Sequence, residues 1–245
     1  MGGQTFDETK RLQEDEYNIM INNINNLGMI ENIDYMYPYR LDNKKTHGDI
    51  DIILYDDSKF INLFGDKNKI KEIKKISLFE ERFDLYSKHI LTENLVQIDL
   101  LKSYSIESIE ITRAYYSYSF ANIFLKRLTN IIDRNLKFSY LGVLCSSNKF
   151  VIPDKVKYYQ IDNSTRLIID CDFIFSLLDL DYSQYKYGFD SEFELLNYFS
   201  KSKYFSQIKF KNNSGFRHDY LRLQPFANLV NLKLIQVENF LNQNL

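Results

Sequence analysis

The 245-residue chain is 44% apolar, 26% charged and 16% aromatic, which is enough apolar material for one large core or two smaller ones. Its 19 Phe and 19 Tyr demand burial and exclude a disordered chain, and no apolar run approaches the ~20 residues of a bilayer span, which excludes a membrane-spanning protein; no membrane partner is expected. A net charge of −2, from 31 basic and 33 acidic side chains, excludes a globally basic protein that wraps polyanions.

Residues 6–27 read as an amphipathic helix, with Leu12, Tyr17, Met20, Ile21 and Ile24 at three- and four-residue steps and Gly28 as its stop. A short strand is expected over 29–37, after which Pro38 opens a charged stretch from Arg40 to His47. Residues 49–55 have the length and β-branched content of a strand. Lys59 to Lys75 is expected as a helix interrupted near Gly65-Asp66, with Lys67, Lys69, Lys71, Lys74 and Lys75 making a basic face. Strands follow at roughly 77–90 and 95–103, joined by a turn at Thr92-Glu93-Asn94. Residues 106–130 read as one long helix; a loop region with Asn148 and Pro153 comes next, then helices near 170–180, 190–200 and 224–244. The expected fold is α+β, with an α+β region over residues 1–104 and a mostly helical region over 105–245.

The eight glycines never form a G-x-G, so a dinucleotide-binding fingerprint and a kinase glycine loop are excluded, and no Gly-Lys-Ser/Thr completes a Walker A loop. Two cysteines, Cys145 and Cys171, cannot build a disulfide framework or a Cys-rich zinc site, and His47, His89 and His218 are too scattered for a zinc hydrolase. The N-terminus lacks the apolar segment of a signal peptide, so the expected location is cytoplasmic and reducing.

The chemistry concentrates in His47-Gly48-Asp49-Ile50-Asp51-Ile52-Ile53-Leu54. On a strand, residues i and i+2 share a face, so Asp49 and Asp51 lie side by side while Ile50 and Ile52 face a core. Two carboxylates ~4 Å apart repel by on the order of 4 kcal/mol at an effective dielectric of about 20, which calls for a cation between them. Hard oxygen donors favour Mg²⁺ or Mn²⁺ over zinc. A second apolar strand, Val96-Gln97-Ile98-Asp99-Leu100-Leu101, carries one acid in its middle, costly to bury without compensation. Set beside the first strand, it completes a three-carboxylate site of Asp49, Asp51 and Asp99.

Gly48-Asp49-Ile50-Asp51 on a strand, followed some fifty residues later by a strand-borne Asp99, resembles the palm of the DNA polymerase β-like nucleotidyltransferase superfamily, which includes poly(A) polymerases, tRNA-nucleotidyltransferases and cyclic-dinucleotide synthases. The likeness covers about residues 10–104. It implies a palm of mixed sheet and flanking helices with two metal ions, Asp49 and Asp51 binding both, and Asp99 binding one and helping to deprotonate the attacking hydroxyl. The family's pattern also has a Gly-Ser pair about ten residues before the first Asp, at a helix N-terminus that grips phosphates. Here Tyr37-Pro38-Tyr39-Arg40-Leu41-Asp42 stands in its place, with Pro38 suited to a first helical turn. Arg40, Lys44, Lys45 and Thr46, beside Gly48, are the candidates to hold a triphosphate instead, or else a solvated run of charge.

In the resembling enzymes a helix after the third acid lines the nucleotide cleft. Arg113, Tyr116, Phe120 and Arg127 can share one face of a 106–130 helix, which offers Tyr116 for a base and Lys126 or Arg127 for phosphates; an aromatic stripe packing two subdomains is the alternative. Between Lys201 and Arg222, basic residues including Lys209, Lys211, Arg217 and Arg222 alternate with aromatics, a pattern suited to single-stranded nucleic acid. The expected function is template-independent transfer of a nucleoside monophosphate from an NTP such as ATP to an acceptor hydroxyl, with an RNA 3′ end favoured. A D-x-D glycosyltransferase and a non-catalytic, partner-binding palm are the alternatives.

Overall fold

The computed structural model describes residues 5–31, 33–41, 44–64, 68–75, 85–118, 121–147 and 150–208. The chain forms two compact units, Met1–Pro38 with Asn43–Arg113, and Tyr39–Asp42 with Ala114–Leu245. Both mix helices with strands.

The first unit comprises β1 (Leu12–Gln13), α1 (Glu14–Glu31), β2 (Tyr35–Met36), β3 (Thr46–His47), β4 (Ile50–Leu54), α2 (Ser58–Phe64), β5 (Lys69–Lys75), β6 (Leu85–Leu91) and β7 (Gln97–Lys102); the division between units falls within α3 (Ile109–Tyr116). A five-stranded sheet runs β2-β4-β7-β6-β5, with β4 and β7 parallel and the other neighbours antiparallel. Its core follows from strand alternation: Ile50, Ile52 and Leu54 of β4 and Ile98 and Leu100 of β7 are buried in one cluster with Ile90 of β6, Tyr17 and Ile24 of α1 and Phe60 of α2. The opposite face of β4 and β7 is therefore where Asp51 and Asp99 must lie.

Helix α1 starts later than the apolar spacing predicts. Thr9 turns back on Phe6, Leu12–Gln13 pairs with Thr46–His47, and the helix begins where Glu14, Asp15 and Glu16 gather at its N-terminal dipole. Nor does Gly28 end it, because the helix runs on to Glu31. Gly28 is buried, and a Cβ there would collide with the ring of Tyr35, whose hydroxyl donates to Asn25 Oδ1 at 2.8 Å. Gly28→Ala is accordingly expected to destabilise the protein. Overpacking costs about 1–3 kcal/mol and the better helix propensity returns up to about 1 kcal/mol, so thermal denaturation should show a lower Tm.

The helix expected over 59–75 ends at Phe64, and Lys69–Lys75 is strand β5 at the sheet edge. Ile70 and Ile73 sit at a helical spacing, yet pairing along the whole of β6 overrides that weak local signal. Lysines on an edge strand also discourage pairing with another chain. The strand expected over 77–90 is described from Leu85, and Gly65, Asp66, Lys67 and residues 76–84 lie outside the described residues.

The second unit contains α4 (Ala121–Ile132), β8 (Leu136–Ser139), β9 (Gly142–Cys145), β10 (Tyr158–Gln160), β11 (Arg166–Ile168), α5 (Cys171–Leu177), α6 (Tyr182–Tyr187), α7 (Glu192–Ser200) and a 3₁₀ turn, Phe205–Gln207. An antiparallel sheet of order β10-β11-β9-β8 occupies the stretch expected as loop. These strands are three or four residues long, so their period-two patterns are brief. The single helix expected over 106–130 is broken. Tyr118 has φ +48° and its N–H donates to the Tyr39 carbonyl, while the Tyr39 N–H donates to Ser117 Oγ at 2.8 Å. A backbone segment from elsewhere in the sequence thus replaces the helix's own hydrogen bonds.

Tyr185 is the hub of this unit's aromatic core. It is fully buried, its ring lies 4.8 Å from Phe175 and 5.2 Å from Tyr118, and its hydroxyl donates to the Ala114 carbonyl at 2.9 Å. Cys145 and Cys171 are buried free thiols. No helix among the described residues is long and apolar enough to cross a membrane.

Candidate metal centre

The parallel pairing of β4 with β7 sets Asp51 directly opposite Asp99. Asp49, two residues before Asp51 at the entry to β4, joins them: one carboxylate oxygen from each of the three lies within 4.8 Å of the others. Asp49 and Asp51 are half-buried, and Asp99 is buried. The approach to β4 is held locally. Thr46–His47 pairs with Leu12–Gln13, and the His47 ring stacks on Tyr17 with centroids 3.9 Å apart, which fixes the chain just before Gly48 and Asp49.

Each pair of these carboxylates repels by on the order of 3 kcal/mol at an effective dielectric of about 20. A divalent cation turns that repulsion into attraction. Two oxygens on one Mg²⁺ at about 2.1 Å sit up to about 4.2 Å apart. The 4.8 Å limit seen here therefore needs only a fraction of an ångström of side-chain adjustment. The donor set, all carboxylate oxygen, suits Mg²⁺ or Mn²⁺.

Two polar side chains absent from the sequence expectation complete the cluster. His89 of β6 lies opposite Asp99 across the antiparallel pair, and its Nδ1 is 2.7 Å from Asp99 Oδ1. Gln97 Nε2 donates to the same oxygen at 2.7 Å. Gln97 was within reach of sequence reasoning, since it stands two residues before Asp99 on one strand. His89 was not, because its alignment with Asp99 is set by cross-strand register.

The residues expected to contact a triphosphate divide between the two units. Lys44 and Lys45 are exposed, Gly48 is buried, and the Thr46 hydroxyl accepts from Arg11 at 3.2 Å. Arg40 is half-buried in the second unit. Residues 37–41, where the resemblance led to a helix N-terminus, contain no helix. Tyr39 is bonded through its backbone to Ser117 and Tyr118, and Leu41 forms a bridge with Phe189.

The candidates for the nucleotide cleft fall on two helices. Tyr116 ends α3, whereas Lys126 and Arg127 belong to α4, so the argument from one continuous helical face no longer applies. Tyr116 is half-buried and packs edge-on against Tyr115 at 5.1 Å; Arg127 is half-buried; exposed Lys126 donates to the Tyr115 hydroxyl at 2.8 Å. Phe120 lies outside the described residues, as do Lys209, Lys211, Arg217, Arg222 and the segment 224–244. Of the expected basic face at 59–75, Lys69 and Lys71 are exposed on the β5 edge, with Lys71 in register with His89.

Comparison with models of known protein families finds no match for this chain, and comparison with curated proteins finds none either.

Proposed function

We propose that the chain is a metal-dependent nucleotidyltransferase whose first unit is a polymerase β-like palm, with Asp49, Asp51 and Asp99 as its metal-binding acids. The observation that carries this reading is the convergence of three carboxylates within 4.8 Å on one face of a mixed sheet, from two parallel neighbouring strands. Asp49, Asp51 and Asp99 would together hold the Mg²⁺ or Mn²⁺ ions. When bound, these ions neutralise charge on the triphosphate and on the attacking and leaving oxygens. The chain's own residues provide the rest. Asp99 orients an acceptor hydroxyl and takes up its proton as the new O–P bond forms at the α-phosphorus. The bond from that phosphorus to the β-phosphate oxygen breaks, and pyrophosphate leaves. An NTP is the donor, and a nucleic-acid 3′ end, RNA favoured, is the acceptor.

A second, non-catalytic reading is favoured by one observation, the tying of Tyr39 and Leu41 to residues 117–118 and 189 where a phosphate grip was expected. The two readings separate in one experiment. Purified protein is incubated with each α-labelled NTP, Mg²⁺ or Mn²⁺, and short RNA and DNA primers, beside Asp49→Asn. Label entering a primer with wild type alone supports the transferase. A complete lack of transfer, with no thermal shift from metal or NTP, supports a partner-binding palm. Transfer from a UDP- or GDP-sugar in place of NMP transfer would reassign the site to sugar chemistry.

A further inference from the structure

We propose that His89 and Gln97 are positioning residues that hold Asp99 Oδ1 and so present its Oδ2 to the divalent cation. This rests on the metal-binding reading of the three acids. Strand register places Asp51, Asp99 and His89 in one row across β4, β7 and β6, so the imidazole stands on the side of Asp99 away from Asp51. Both donors reach Oδ1 at 2.7 Å, and both residues are nearly sealed, His89 at 8% and Gln97 at 1% exposure.

The hydrogen-bonding roles follow from chemistry. An ionised carboxylate only accepts, so His89 donates from Nδ1 and is the Nδ1–H tautomer when neutral. The Thr5 backbone N–H donates to Gln97 Oε1 at 3.2 Å, which forces Gln97 Nε2 towards Asp99. The N-terminal segment therefore sets the orientation of the Gln97 amide, and Gln97 in turn orients the acid. Oδ1 is committed to two donors, leaving Oδ2 as the ligand atom. The two donors orient the carboxylate, as partners of metal-ligating carboxylates do.

The test uses the full chain, freed of metal, titrated with Mn²⁺ and followed by electron paramagnetic resonance of the free ion. His89→Ala and Gln97→Met are each expected to weaken Mn²⁺ binding 10–100-fold, the range typical of such partners, and His89→Asn, which keeps a donor near Nδ1, to recover most of it. Long-range ¹H–¹⁵N spectra of the metal-free protein should show His89 protonated at Nδ1. A purely structural His–Asp pair would instead lower the Tm of the metal-free variants and leave Mn²⁺ affinity unchanged. Wild type and Gln97→Met binding Mn²⁺ equally, while Asp51→Asn does not bind, would overturn this inference alone. Failure of wild type to bind Mn²⁺ would overturn the metal reading and this inference with it.

Discussion

Asp51→Asn is expected to abolish nucleotide transfer, by at least about 10³-fold, while the protein stays folded. Asp51 is the acid set opposite Asp99 by the parallel register, so its loss removes one of the three proposed carboxylate ligands. The change is nearly isosteric, and Ile50 and Ile52 on the buried side of β4 are untouched. The metal-free variant should be slightly more stable than wild type. Removing one of three clustered charges relieves repulsion, which solvent screening at this half-buried position reduces to about 1 kcal/mol, or a rise of roughly 2–4 °C in Tm. Mg²⁺ or Mn²⁺ should raise the Tm of wild type but not of the variant. Transfer undiminished in Asp51→Asn would refute the site. A lower metal-free Tm would show that the cluster is held together by something other than the cation.

Tyr185→Ala should be the most destabilising single change in the second unit, by about 3–5 kcal/mol in chemical denaturation, because it empties a fully buried aromatic position. Tyr185→Phe isolates the hydroxyl, whose loss leaves the Ala114 carbonyl without this donor and should cost about 1–3 kcal/mol. The same residue gives stability a pH dependence. Burial, reinforced by the neighbouring Tyr118 and Tyr198, raises the Tyr185 pKa well above its ordinary 10.0. Burial likewise raises Tyr37 and Tyr198, the latter helped by the Asp181 charge. These phenols stay protonated in the fold while those of the unfolded chain ionise near pH 10, so the unfolded state loses protons first. Stability is fully present below pH 10 and falls above it, by about 1.4 kcal/mol per pH unit for Tyr185 while it remains protonated. Tyr185→Phe should flatten that decline. Equal slopes for the two proteins between pH 10 and 11.5 would remove Tyr185 as its source.

Much of the candidate site was legible because its rules are local. Asp49 and Asp51 share a face by strand alternation, and the isoleucines between and after them mark the buried side. Asp99 announces itself as one acid inside an apolar strand. Two helices of the second unit were legible for similar reasons. Asp170 accepts from the Phe173 N–H, and Ser191 and Glu194 form a reciprocal cap with the N–H groups of Glu194 and Asp190, so the signals lie within four residues of each helix start.

Other features depended on partners distant in sequence. The segment Lys69–Lys75 became a strand because β6 was there to pair with it, and Tyr39 interrupted a helix that local spacing would have continued. The helix start suggested at Pro38 gave way to the same backbone contacts. Sequence by itself determined which acids could meet and which faces they would occupy, since residue type and period act over a few positions. Tertiary structure alone decided that His89 meets the oxygen of Asp99 that Gln97, two residues earlier on the same strand, also holds. That choice is made by strand register, which the burial of Ile50, Ile90, Ile98 and their neighbours locks in place.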